Sequence, residues 1–201
     1  MQAALRHSEW DEVDLRYDGG TIALVYRRAP GERRFEPWVY VAPSAILRRL
    51  GAHGLGLYAA RPFKRNDYVG QYPHDAVVGR YPTREAAREA PETRRLLMRG
   101  HDKLVTVRAP NGPGFLLLDG EGGGPPHVER ANDPRGTALA PNATLTDAGW
   151  LRITQARVPR FDLEKPLDEN IYSELRYDYG DSYWDLHELL GRSAAHALEV
   201  D

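Results

Sequence analysis

The chain has 201 residues, a formal net charge of −2, a pI near 6.4, 41% hydrophobic residues and no cysteine. That length and apolar content suit one domain with a core and room for appended elements. Without cysteine, disulfides, thiolate zinc sites and cysteine nucleophiles are excluded, and without a basic balance nucleic acid is not the expected main partner.

The 19 glycines and 15 prolines argue for short strands and turns rather than a helical bundle. Residues 1–10 hold no apolar signal-like core and no run reaches membrane-spanning length, so an intracellular soluble protein, away from membranes, is expected. Residues 13–17 and 21–26 flank Asp18-Gly19-Gly20 and predict a hairpin. Residues 37–41 predict a further strand, and 54–72 two strands joined around 62–66. Residues 83–100 are rich in Ala, Arg, Glu and Leu. They predict helix, with Thr83 and Thr93 as candidate N-caps, Pro91 as a divider and Gly100 as a stop. The arginines of 84–99 read as a solvated helix face.

Residues 103–107 and 115–118 predict strands around Asn111-Gly112-Pro113-Gly114. Residues 143–146 and 150–154 predict another pair around Asp147-Ala148-Gly149. An irregular charged loop is expected over 159–170, a strand over 171–179 and a short closing helix over 183–190. In the strand, alternation sets Leu175, Tyr177 and Tyr179 on one face and Arg176 and Asp178 on the other. Two phenols on one apolar face need partners. They either bond main-chain carbonyls in a core or line a narrow channel for an amine.

Single motifs are weak. His53-Gly54-Leu55-Gly56-Leu57 would let main chain approach a ligand, but it equally reads as a glycine-tolerant bend. Ala59 stands where the dinucleotide fingerprint needs a third glycine. Asn132-Asp133-Pro134 and Pro141-Asn142-Ala143 read either as polar contacts to an adenine edge or as Asx turns. The seven histidines lack metal-ligand spacing, and there is no nucleophile elbow or Walker loop.

The order of the pieces is more specific. From about Ser44 to Trp184, the Gly-x-Gly strand, Val69-Gly70-Gln71-Tyr72, the helical insert, Asn132 with Pro141-Asn142, and Glu174-Leu175-Arg176-Tyr177-Asp178-Tyr179-Gly180 resemble the SET-domain protein lysine methyltransferases. Typical members carry Arg-Phe-Ile-Asn-His-Ser-Cys before Pro-Asn. Here the run is Glu129-Arg130-Ala131-Asn132-Asp133-Pro134, so Asp133 replaces the histidine. The family's cysteine-rich zinc segments are missing.

The resemblance implies a mostly β fold of several small sheets (a β-clip-like SET fold) with a knot-like C-terminal segment. It divides the chain into an N-terminal β extension (1–42), a SET domain (43–190, with the helical insert at about 80–101) and a tail (191–201). It implies S-adenosylmethionine-dependent methylation of a protein lysine, with a histone tail or another basic peptide as partner and a nuclear location in the histone case. Tyr179 takes the family's catalytic position, Tyr177 the one that influences methyl number, which suggests monomethylation, and Tyr72 a channel wall. His53, Gly54, Leu55, Gly56, Asn132, Asp133, Tyr179 and Trp184 fall at cofactor positions. Asp178, Asp181, Asp185 and Glu188 would either attract a basic tail or serve a helix start. The altered 129–142 loop also leaves open a SET-like binding or scaffold protein with weakened catalysis.

Overall fold

A computed structural model describes residues 9–28, 34–73, 76–101, 103–121 and 123–180. The fold is mostly β, built from small antiparallel sheets with few helices. Strands β1 (Trp10–Tyr17) and β2 (Gly20–Arg28) form the expected hairpin. Its turn needs two left-handed residues, which Asp18 (φ 48°) and Gly19 (φ 76°) supply. β3 (Phe35–Pro43) and β4 (Leu55–Ala59) extend the hairpin into one four-stranded meander, so β1, β2 and β3 share a sheet with the Gly-x-Gly strand. Between β3 and β4 lies the short helix α1 (Ala45–Arg49), capped by the Ser44 hydroxyl, which accepts from the Leu47 N–H.

β5 (Phe63–Lys64) pairs with β12 (Arg157–Val158). β6 (Tyr68–Gln71), β11 (Trp150–Ile153) and β10 (Ala143–Leu145) form a three-stranded sheet. β7 (Val77–Tyr81), β9 (Phe115–Asp119) and β8 (Leu104–Arg108) form another. Helices α2 (Arg84–Glu89) and α3 (Pro91–Met98) make up the helical insert. Thr83 caps α2 as expected, accepting from the Ala86 N–H. Thr93 is not a cap. Pro91 already starts α3, and the Thr93 hydroxyl donates to the Ala87 carbonyl across the break. Among the described residues, no helix is long and apolar enough to cross a membrane.

Two apolar clusters hold these pieces together. One gathers Val39, Leu57, Phe63, Val69, Leu118, Leu151 and Leu175 where the sheets meet. The other is aromatic: the rings of Tyr17, Tyr40 and Tyr58 each lie 5.0–5.1 Å from Phe161.

The strand expected over 171–179 is absent. Residues Leu167–Tyr172 form a 3-10 turn, and over the described residues 173–180 only single bridges occur, Glu174 to Tyr58 of β4 and Arg176 to Asn132. The segment passes between β4 and the 130–143 loops, pairing alternately with each, so no ladder develops. Because both sides are covered, Glu174 (0% exposed) and Arg176 (2%) are as buried as Leu175. Period-two alternation assumes one solvated face, which residues 173–176 lack, whereas Asp178 beyond them is exposed as expected. The helix expected over 183–190, with Trp184, lies outside the described residues.

Candidate functional site

Segment 174–180 is the hub. The Glu174 carboxylate accepts from Ser44 Oγ (2.6 Å), Ile46 N (3.1 Å), Asn132 Nδ2 (3.1 Å) and Tyr58 Oη (3.2 Å). Tyr58 shares its one proton between Oε2 and the Pro43 carbonyl. Burial pushes the Glu174 carboxyl above the usual range, while the hydrogen bonds from Ser44, Asn132, Ile46 and Tyr58 pull it back. Burial, reinforced by the neighbouring Glu174 charge, pushes the Tyr58 phenol far above its ordinary value.

Arg176 braces the other side. It donates to the carbonyls of Ala140 (3.1 Å), Ile171 (2.8 Å) and Glu174 (3.2 Å). Asn142 substitutes for a neighbouring strand: its Nδ2 donates to the Glu174 carbonyl and its Oδ1 accepts from the Arg176 N–H.

This frame brings together most of the residues singled out in the sequence. Asn132 Nδ2 donates to the Leu55 carbonyl (3.0 Å) as well as to Glu174, which uses both amide hydrogens. The Tyr177 N–H donates to the Asn132 carbonyl (3.1 Å). Asp133 Oδ2 accepts from the Tyr179 N–H (2.9 Å) and its Oδ1 from the Arg135 N–H (2.7 Å). Asp133 is therefore an internal brace for the tyrosine segment. Tyr179 Oη donates to the Ala131 carbonyl (2.9 Å), and the Tyr177 and Tyr179 rings stand 4.7 Å apart.

The two tyrosines line a cavity of about 180 Å³ with Leu104, Val105, Leu117 and Leu145 as apolar walls and Arg84, Arg88 and Asp178 among the polar ones. Tyr72 is not among its lining residues. Tyr72 is 2% exposed, lies in the core cluster against which Tyr177 packs, and donates its hydroxyl to the Lys103 carbonyl. His53 and Gly54 are exposed and line a different cavity of about 350 Å³, facing Ser44, Arg48 and the Asp18–Gly20 turn.

Gly56 has a structural reason to be glycine. A Cβ there would stand 2.6 Å from Glu174 Oε1 and 3.2 Å from Ser44 Cα, so its small size admits the buried carboxylate. The supporting polar set of Ser44, Tyr58 and Arg176 was not singled out as functional from sequence, and Asn142, read there as an adenine contact or an Asx turn, instead braces the 174–176 main chain. The available signal was a glutamate and an arginine flanking Leu175 in an otherwise apolar strand.

No protein-family model matches the chain, and no curated protein matches its sequence.

Proposed function

We propose that this chain is an S-adenosylmethionine-dependent protein lysine N-methyltransferase of the SET-domain kind. One observation carries the reading. The Tyr177 and Tyr179 rings, 4.7 Å apart beside a small cavity of mixed polar and apolar lining, are held by bonds from their N–H groups to the Asn132 carbonyl and the Asp133 carboxylate, and Asn132 is itself bonded to the Gly-x-Gly strand. The motifs whose order resembled that family thus meet in space.

The residues present fit the cofactor at one edge. Gly54 and Leu55 are exposed residues at the start of β4, and Asn132 lies bonded to the Leu55 carbonyl with its own Oδ1 left to accept. Gly54, Leu55 and Asn132 would hold the amino-acid and adenine ends. When bound, S-adenosylmethionine supplies an electrophilic methyl group on a sulfonium.

The chain's own residues prepare the amine. A lysine in water is nearly all protonated, with a pKa of about 10.4. The walls formed by Leu104, Val105, Leu117 and Leu145 strip water from it and favour the neutral form, whose lone pair is the nucleophile. Tyr179, its ring anchored through Ala131, orients that amine, and positioning of this kind is worth orders of magnitude in rate. Tyr177 narrows the same space, which favours a single methyl.

The test is mass spectrometry of histones and a lysine-peptide panel incubated with protein and cofactor. Methylated lysine is expected. Tyr179→Phe should cut transfer by on the order of 100-fold while the protein stays folded. Unchanged activity in that variant would refute the role of Tyr179. No transfer to any lysine, with no cofactor-dependent rise in melting temperature, would overturn the reading itself.

A further inference from the structure

A third cavity, of about 900 Å³, adjoins the tyrosine cavity. Thr146 lines both, and Arg84 of the tyrosine cavity pairs with Asp147 of the larger one.

Two kinds of surface line it. One is a pair of arginines stacked on Trp38, with Arg27 Cζ 4.7 Å and Arg61 Cζ 4.6 Å from its ring centroid. Arg27 also lies 5.4 Å from the Trp10 ring and Arg61 5.5 Å from the Phe63 ring. Stacking fixes the plane of a guanidinium and leaves its N–H edge for a planar oxyanion. Arg27 commits Nε to Glu9 at 3.1 Å, whereas Arg61 meets Glu36 only at 3.8 Å, longer than a hydrogen bond. The other surface is aromatic. Tyr68 (48% exposed) and Trp150 (37%) stand edge to face at 5.8 Å, presenting apolar area inside a concave wall. Two acids also line the cavity: Asp67, whose Oδ2 accepts from the Lys64 N–H at 2.8 Å, and Asp147, which pairs with Arg84.

We infer that this cavity seats an acidic side chain and a neighbouring apolar one from the protein segment whose lysine enters the tyrosine cavity. The inference rests on the lysine-methyltransferase reading. It narrows the substrate away from a polybasic tail. Arg61, stacked on Trp38 with its nearest carboxylate beyond hydrogen-bond distance, is the cation that such a tail would meet in the larger cavity.

Three peptide sets separate the cases, each with a central lysine and flanks rich in Glu and Phe, in Gln, or in Lys and Arg. Methyl transfer from labelled cofactor is read as kcat/KM, and binding is read from tryptophan fluorescence, with Trp150→Phe assigning the signal. Acidic flanks should be preferred roughly tenfold, the scale of one well-placed charge pair. Arg61→Glu should reverse the preference. Should that variant fail to fold, Arg61→Gln, which keeps a stem against Trp38, should abolish the preference rather than reverse it. Transfer indifferent to flank charge in both forms overturns the cavity assignment and leaves the enzyme reading standing. Acidic-peptide binding that Arg61→Glu removes, without any methyl transfer, supports the cavity and overturns the enzyme reading. Tryptophan quenching by AMP but by none of the peptides overturns the cavity's assignment to a protein segment.

Discussion

Glu174 shows how one side chain sets the geometry around it. Its two oxygens face donors from α1, β4 and the Asn132 loop at once. Glu174→Gln replaces an acceptor with an amide whose hydrogens point at other hydrogens, either toward Ser44 and Asn132 or toward Ile46 and Tyr58. A cost of about 2–3 kcal/mol is expected from the buried donors left unpaired, read by urea unfolding. A loss below about 0.5 kcal/mol would mean that the network relaxes around the amide. Burial holds the folded carboxyl above its unfolded value, so Glu174 contributes stability that is fully present below the ordinary carboxylate range and is lost as pH rises through the raised value.

At the scale of elements, β4 and the 174–177 segment are shaped to each other. Gly56→Ala would drive a methyl into Glu174 Oε1 and the Ser44 backbone, neither of which is the free end of a flexible chain. Overpacking of this kind costs about 1–3 kcal/mol, with a matching fall in denaturation midpoint. A neutral result would show that the carboxylate has room to retreat. Much of the element pattern was legible in the sequence. The Asp18-Gly19 turn, the Thr83 cap and the Pro91 break of the helical insert, and the paired strands around the glycine turns are local features with local causes. The 171–179 strand misled because its burial is set by two neighbours distant in sequence, which no short window contains. The meeting of Asn132, Tyr177 and Tyr179 was readable only through motif order. The role of Asp133 as a brace for Tyr179 was not readable, since an Asx turn and an interloop bond look alike in one dimension.

At the scale of the molecule, the N-terminal hairpin is tied to the rest through an ionisable contact. His127 Nε2 lies 2.8 Å from Glu12 of β1, and its Nδ1 3.4 Å from the buried Glu129, which Arg130 also approaches at 3.7 Å. Burial pulls the imidazole's pKa down, but hydrogen bonds and charge from Glu129 and Glu12 outweigh it and leave it raised. The protonated form therefore favours the fold. Its contribution is complete below about pH 6.5 and disappears as pH rises through the raised value. Melting temperature should fall across that window, and Glu12→Gln should flatten the fall. Glu12 is more than a third exposed, so the effect should not exceed about 1 kcal/mol, or some 2–4 °C. A pH profile identical in the two proteins would show that the contact carries no linkage.

The reach of Glu174 along the chain has a consequence in time. Its partners lie 42 to 130 residues upstream. During synthesis Ser44, Tyr58 and Asn132 are all made before the carboxylate that unites them, so the tyrosine pair cannot be positioned until this late segment threads between regions already formed. Closing such distant contacts is slow, so the contacts that position the tyrosines are among the costliest in loop-closure entropy.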